Sequence, residues 1–108
     1  MRSDGQPDAE QVAGLLAKAR SLPAVPGVYL MKDASGVVLY VGKANCLPDR
    51  VSSYFLPSTD LGPRKQPLVG LVVDLDVIPC EGEWEALLLE ARLVKDLKPR
   101  FNARLLDD

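Results

Sequence analysis

The stretch GVYLMKDASGVVLYVGKA, residues 27–44, limits the possible folds of this chain more than any other part of it. Two runs of apolar and β-branched residues flank the four residues DASG at 33–36, a composition typical of a tight turn between antiparallel strands. With those four residues as the loop, Tyr29 lies directly opposite Tyr40, and both side chains share one face of the hairpin. Lys43 then follows the end of the second strand. The opposite face carries only aliphatic side chains, those of Val28, Leu30, Leu39 and Val41.

The rest of the sequence predicts helices and one further strand around this hairpin. Apolar residues at helical spacing predict a helix over 8–21, in an N-terminal extension (1–20) that precedes a single domain over 21–108. Three strands with helices packed against them make a small α/β domain, in which a mainly antiparallel sheet is flanked by helices. The elements predicted after the hairpin are a short helix over 47–55, a loop over 56–67, a brief helix over 67–72, a strand over 73–80 and a helix over 82–97.

The composition is that of one small globular domain. Its 108 residues, of which 47% are hydrophobic, suffice for a single modest core. No apolar run approaches the roughly 20 residues of a membrane-spanning helix, and no signal-peptide pattern is evident. Cys46 and Cys80 are fewer cysteines than a secreted disulfide scaffold of this size uses. The sequence therefore predicts a cytoplasmic domain.

Histidine is absent from the sequence, which narrows the possible chemistry. Nucleophilic devices that pair serine or cysteine with histidine are excluded within this chain, and so is a zinc site built on imidazole. A general base would have to be a tyrosine, a lysine, a carboxylate or a metal-bound water.

The distribution of charge matters more than its total. The net charge of −2 argues weakly against nucleic-acid binding, but residues 91–104 carry five bases against one acid. Such a cluster is either a local phosphate-binding patch or simply solvated surface.

Tyr29 and Tyr40 allow two interpretations. A cross-strand aromatic pair stabilises a sheet by about 0.2–1 kcal/mol without any further function. Alternatively, the ammonium group of Lys43 near the phenols favours the phenolate, which lowers the tyrosine pKa toward the range useful for a general base. The residues alone leave both interpretations open.

Glu90 is an acid within an apolar helix face. A carboxylate at such a position is costly to bury unless it is paired, hydrogen-bonded or bound to a metal. It could form a buried salt bridge with an arginine or lysine, or it could hold Mg²⁺ together with water and phosphate oxygens. Its neighbours three and four positions away are Ala86, Leu87, Leu93 and Val94.

Three further residues are candidates for a site. Arg50 and Tyr54 are four residues apart and share one face of the predicted short helix. A cation and a phenol together suit a phosphate with developing charge, although a surface stacking pair has the same spacing. Asn102 lies just beyond the last predicted helix, where turn chemistry alone would explain an asparagine.

In this order, these features resemble the GIY-YIG nuclease family. GVY at 27–29 is similar to the first motif of the family, and YVG at 40–42 is similar to the second. The resemblance extends over residues 21–108 and is greatest to the branch that makes the 3′ incision in bacterial nucleotide-excision repair. The segments that carry it are LPAVPGVYLMKDASGVVLYVGKA (22–44), RVSSYF (50–55), EWEALLLEARLVKDLKPRFN (83–102) and LLDD (105–108).

The resemblance implies a GIY-YIG fold and a metal-dependent DNA endonuclease. It implies a single Mg²⁺ or Mn²⁺ held by Glu90, damaged double-stranded DNA as the substrate, and UvrB as the protein partner in the full-length context. The isolated domain would be monomeric. Which tyrosine acts as the base stays open. The site residues implied by the family are Tyr29, Tyr40, Lys43, Arg50, Tyr54, Glu90 and Asn102.

Two alternatives remain beside this interpretation. One is a free-standing GIY-YIG endonuclease, either a single-incision homologue of the repair nuclease or a branched-DNA resolvase. The other is a DNA- or protein-binding module that keeps the fold without catalysis.

Overall fold

A three-stranded antiparallel sheet lies at the centre of the molecule. The structure is a computed structural model that describes residues 9–56 and 62–102. The sheet has the strand order β2-β1-β3, so the predicted small α/β fold with a three-stranded sheet flanked by helices is confirmed. The elements are α1 (Ala9–Arg20), β1 (Gly27–Lys32), β2 (Val38–Ala44), α2 (Leu47–Ser52) with a 3₁₀ turn (Ser53–Phe55), α3 (Gly62–Leu71), β3 (Asp74–Pro79) and α4 (Glu83–Leu97).

Helices cover both faces of this sheet. On one face, Leu15 of α1, Leu47 of α2 and Leu68 of α3 pack with Tyr29 and other buried residues into the larger hydrophobic cluster. On the other face, α4 covers the smaller cluster, which contains Val28, Val41, Cys80 and Ala86. We call these two sides the tyrosine face and the α4 face. Within the described ranges, no helix is long and apolar enough to cross a membrane.

The hairpin turn is stabilised by Asp33. Its carboxylate accepts hydrogen bonds from the backbone N–H groups of Ser35 and Val37, at 2.9 and 3.0 Å. The backbone N–H of Gly36 donates to the carbonyl of Asp33 at 3.0 Å, and Gly36 has φ +83°, a conformation in which glycine avoids strain. Asp33 and Val37 therefore close a three-residue turn, one residue shorter than the predicted loop.

The strand register differs from the prediction, although the two tyrosines share a face as expected. Tyr29 lies opposite Gly42 rather than Tyr40, and Lys32 lies opposite Val38. The turn shifts the register by one residue, and an irregularity next to Met31 shifts it by one more. A shift of one residue exchanges the two faces of the second strand, and a second shift exchanges them again, so Tyr40 returns to the face of Tyr29. Leu39, which the prediction placed on the aliphatic face, packs in the cluster of the tyrosine face.

The helices otherwise follow the sequence pattern, with one exception. The structure has α1 over Ala9–Arg20 and α4 over Glu83–Leu97, close to the predicted 8–21 and 82–97. The predicted loop over 56–67 is wrong for its second half, because α3 begins at Gly62 and includes Pro67. Pro63 lies in the first turn of α3, where a proline removes no helical hydrogen bond, whereas Pro67 lies inside the helix, a position that the sequence pattern does not favour. Predictions for residues 1–8, 57–61 and 103–108 fall outside the described residues.

The end of α4 directs the chain back to the edge of β2. Lys98 adopts the left-handed conformation, with φ 48° and ψ 56°, and its N–H donates to the carbonyl of Val94 at 2.9 Å. Pro99, which cannot continue the helix, follows it. Residues 100–102 are again helical, and they include the buried Phe101 and Asn102.

Candidate active site

The tyrosines at positions 29, 40 and 54 form one cluster on the tyrosine face. The ring centroids of Tyr29 and Tyr40 are 6.2 Å apart, and those of Tyr29 and Tyr54 are 5.8 Å apart. Tyr40 and Tyr54 are separated by 6.5 Å. The hydroxyls of Tyr29 and Tyr54 share a hydrogen bond of 2.8 Å. The cluster therefore combines phenols from β1, β2 and the 3₁₀ turn after α2.

Gly42 makes room for the innermost of these rings. A Cβ atom at position 42 would lie 2.3 Å from Cζ and 2.4 Å from the hydroxyl oxygen of Tyr29. Tyr29 is only 1% exposed, so its ring has little freedom to move away. Sequence reasoning assigned no role to Gly42; the signal was a glycine in mid-strand, which often marks a close approach of another group.

Arg50 lies at the exposed side of the cluster. It follows the first turn of α2, and its guanidinium carbon lies 5.6 Å from the centroid of the Tyr54 ring. The negative charge that an ionised Tyr29 would carry raises the pKa of the Arg50 guanidinium above its ordinary value, which places the two groups near each other. Arg50 itself is exposed, so its N–H groups are accessible to an incoming anion.

Glu90 approaches the cluster from the helix on the opposite face. It is half-buried on α4, between the buried Ala86 and the half-buried Val94, at the border of the helix face that packs on the sheet. Its charge contributes to raising the pKa of Tyr40. Neither a hydrogen bond nor an ion pair joins Glu90 to any residue that the structure describes, so the alternative of a buried salt bridge finds no support there.

This environment of Glu90 fits a cation held by one protein ligand. In the described ranges no group of three or more acidic, cysteine or histidine side chains is placed to enclose a metal ion. Mg²⁺ commonly keeps several waters and binds through one or two carboxylates together with phosphate oxygens of a substrate. Glu90, half-buried and without a basic partner among the described residues, is a suitable carboxylate ligand for such an ion.

Asn102 binds the free edge of β2. Its Nδ2 donates to the carbonyl oxygen of Val41 at 2.8 Å, and its Oδ1 accepts from the N–H of Val41 at 2.7 Å. Asn102 is 7% exposed and thus takes the place of a neighbouring strand at this point. Since Val41 lies between Tyr40 and Gly42, the amide fixes the backbone that carries the cluster.

We expect Asn102→Ala to destabilise the fold by about 2–4 kcal/mol, because it leaves the buried N–H and C=O of Val41 without partners. Urea denaturation of wild type and variant measures this difference. Asn45→Ala is the matched control, since Asn45 is exposed and its loss should change stability by less than about 0.5 kcal/mol. Equal urea midpoints for Asn102→Ala and Asn45→Ala would show that the two hydrogen bonds between Asn102 and Val41 do not stabilise the fold.

Lys43 does not join the cluster in the way that the sequence suggested. It lies within β2, opposite Val28, rather than past the end of the strand. Because side chains alternate along a strand, Lys43 leaves the sheet on the face opposite to Tyr40. Its side chain is exposed, and no hydrogen bond, ion pair or ring contact links it to another described residue. The prediction that its ammonium group lowers a tyrosine pKa is therefore wrong for this arrangement.

The tyrosine pKa values move in the other direction. Burial raises the pKa of Tyr29, and the hydrogen bond from Tyr54 opposes this rise without cancelling it. Burial also raises the pKa of Tyr40 and of Tyr54 well above the ordinary value of 10.0, and the charge of a neighbouring phenolate adds to both shifts. At neutral pH the phenols are therefore neutral, and each can both donate and accept a hydrogen bond.

These shifts predict how the protein responds to alkali. The chain contains three tyrosines, all in the cluster, so the ultraviolet absorbance of phenolate reports on this site alone. In the metal-free protein we expect ionisation to begin only above the ordinary pKa of 10.0 and to coincide with unfolding. The unfolded chain loses these protons first, so the raised pKa values stabilise the fold fully below that pH, and this stability falls as the pH rises further. Reversible ionisation of the tyrosines below pH 10 in a protein that stays folded would contradict the raised pKa values.

Comparisons with known proteins agree with this geometry. The sequence-family model described as the UvrC-like GIY-YIG domain matches residues 25–103 of this chain. UvrABC system protein C of Dehalococcoides mccartyi is 51% identical over 88 residues, covering 82% of this chain and 14% of the relative. The corresponding protein of Gloeobacter violaceus is 52% identical over 87 residues, covering 81% of this chain and 14% of the relative. The chain thus spans about one seventh of these curated relatives.

A solved structure has the same fold. The crystal structure of the GIY-YIG N-terminal endonuclease domain of UvrC from Thermotoga maritima, bound to its catalytic divalent cation magnesium, aligns with a TM-score of 0.69. Sequence identity is 36%, and the alignment covers 82% of this chain and 94% of that one. With the family model and the two relatives, this match leaves one conclusion: the chain belongs to the UvrC-like GIY-YIG domain family.

Proposed function

We propose that this chain is the endonuclease domain of a UvrC-type protein, which hydrolyses a phosphodiester on the 3′ side of a lesion in double-stranded DNA during nucleotide-excision repair. One observation carries the proposal: an exposed guanidinium and three neutral phenols share one cluster on the tyrosine face, and the half-buried carboxylate of Glu90, which has no basic partner among the described residues, contributes to raising the pKa of Tyr40 in that cluster. The substrate and the divalent cation follow from the relatives, since UvrABC proteins and the magnesium-bound Thermotoga domain share this fold.

Arg50 would bind the scissile phosphate. Its guanidinium is exposed and lies over the Tyr54 ring, and a guanidinium has five N–H donors, more than the neighbouring phenols occupy. A planar guanidinium binds two such oxygens at once, and a preorganised cation stabilises the extra negative charge that develops in the transition state.

The phenols would orient the attacking water. Tyr40 is the most exposed member of the cluster, and the charge of Glu90 contributes to raising its pKa. Tyr29 and Tyr54 are buried, and their hydroxyls are hydrogen-bonded to each other. A neutral phenol oxygen can accept a hydrogen bond from water and thereby orient that water toward the phosphate. The raised pKa values argue against a phenolate that exists before substrate binds.

Glu90 would hold the divalent cation, Mg²⁺ or Mn²⁺. When bound, such a cation acts as a Lewis acid that stabilises negative charge on the phosphate and the leaving oxygen. The residues fit this role, since the carboxylate has no basic partner in the described part of the chain and adjoins Tyr40.

Asn102 and Lys43 would support the site without forming its centre. Asn102 fixes the backbone between Tyr40 and Gly42 through its two bonds to Val41. Lys43 lies on the other face of β2 and would contact a DNA phosphate rather than activate a phenol. In the cell we expect the domain in the cytoplasm, acting on DNA to which UvrB has been loaded.

The test is cleavage of a labelled duplex with a single bulky lesion, with UvrB and Mg²⁺ present. Wild type should cut 3′ to the lesion, and Arg50→Ala should lower kcat about 10²–10³-fold, the usual effect of removing one charge-stabilising donor. Arg20→Ala, an exposed arginine of α1, should cleave at the wild-type rate. Binding without any cleavage by wild type would favour a non-catalytic module, and preferential cleavage of branched DNA would favour a resolvase.

A further inference from the structure

The ion pairs among the described residues do not include any member of the tyrosine cluster. Each joins exposed or half-buried side chains on β1, β3, α1 or the outer side of α4. Arg50 and Arg100, like Arg20 of α1, pair with no carboxylate in the described ranges. In a chain with net charge −2, exposed guanidinium groups that remain unneutralised are candidates to bind an anionic partner. The ion pairs are Lys18–Asp74, Lys32–Asp76 and Arg92–Asp96.

The residues that follow Arg100 hold it at the edge of β2. Asn102 binds both backbone groups of Val41, and its own N–H donates to the carbonyl of Pro99 at 3.1 Å. Phe101 is 1% exposed and packs in the cluster of the tyrosine face. The segment from Pro99 to Asn102 thus leads from α4 past the β2 edge to the tyrosine face, and Arg100 is the exposed residue of that turn.

The guanidinium of Arg100, like that of Arg50, lies over an aromatic ring. Its guanidinium carbon lies 5.1 Å from the centroid of the Phe101 ring, as that of Arg50 lies 5.6 Å from the Tyr54 ring. Both rings belong to one hydrophobic cluster. A guanidinium over an aromatic face keeps its planar edge, with its N–H donors, free for phosphate oxygens.

We propose that Arg100 forms a second phosphate-binding subsite, which holds a backbone phosphate of the DNA beside the scissile one. This inference rests on the proposed nuclease function. Contacts to non-reacting phosphates fix the register of DNA on a protein and do not change the chemical step. Arg100 therefore positions the substrate, and its loss weakens DNA binding while kcat at saturating DNA stays unchanged.

Fluorescence anisotropy with a labelled lesion-bearing duplex tests this subsite, with Ca²⁺ replacing Mg²⁺ to prevent cleavage. Arg100→Gln should raise Kd about tenfold and lower the slope of log K against log salt by about 0.9, the value for one lost phosphate contact. Arg100→Lys keeps the charge and should restore the slope. Arg92→Gln, an exposed arginine already paired with Asp96, is the matched control and should leave both quantities unchanged. Thermal unfolding of each variant verifies the fold.

Cleavage kinetics with Mg²⁺ provide a second readout. Arg100→Gln should raise KM about tenfold at constant kcat. A wild-type slope and KM in Arg100→Gln, or an equal loss in Arg92→Gln, would overturn the subsite while the nuclease function stands. Absence of cleavage by wild type would instead overturn the proposed function.

Discussion

Replacing Glu90 by Gln is expected to lower metal-dependent cleavage at least about a thousandfold, because a divalent cation supplies several kcal/mol of transition-state stabilisation and Glu90 is its proposed protein ligand. The substitution keeps the size and polarity of the side chain and removes its charge. Without metal, the variant should be about as stable as wild type, since no hydrogen bond or ion pair to a described residue is lost.

Metal binding can be measured separately from catalysis. Ligands that bind only the folded state raise its stability, so Mg²⁺ should increase the Tm of wild type in a concentration-dependent manner and leave Glu90→Gln unchanged. Glu83→Gln, in the first turn of the same helix and exposed, is the control that should retain both responses. Full activity of Glu90→Gln with Mg²⁺ would refute the assignment of this residue as the metal ligand.

The parts of the fold that the sequence predicted are those set by local patterns. The alternation of Val73 to Cys80 predicted β3, and the structure buries Leu75 while Asp74 and Asp76 stay exposed. Helical spacing predicted α1 and α4 to within one residue. The prediction is wrong for the first half of α3, because it interprets proline and glycine as loop formers, although Gly62 and Pro63 are compatible with the start of a helix.

Features that depend on three-dimensional detail could not be predicted. The register of the hairpin depends on whether Asp33 closes a three- or a four-residue loop, and on an irregularity at Leu39 that no local pattern indicates. The pairing of Tyr29 with Tyr54 depends on how α2 packs on β1, which involves contacts distant in sequence. Lys43 was assigned to the phenols by proximity along the chain, whereas strand alternation sends it to the other face.

Gly42→Ala is the second substitution expected to have a large effect, although it adds only one methyl group. The new Cβ would overlap the Tyr29 ring, at 2.3 Å from Cζ, and a neighbour this close must move. Overpacking of this kind costs about 1–3 kcal/mol of stability. A shifted ring also breaks the 2.8 Å hydrogen bond between the hydroxyls of Tyr29 and Tyr54. A displacement of about 1 Å among the residues of an active site can lower kcat about a hundredfold.

The matched control is Gly14→Ala on α1, where an added Cβ meets nothing within 4 Å. That change should raise stability by about 0.5–1 kcal/mol, because alanine favours a helix over glycine. A double-mutant cycle locates the clash: with Tyr29→Ala as background, Gly42→Ala should no longer destabilise the protein, since the ring it would meet is gone. If Gly42→Ala remained equally destabilising in that background, the close approach of Tyr29 would not be the reason for a glycine at position 42, and the second motif of the family would need another physical explanation.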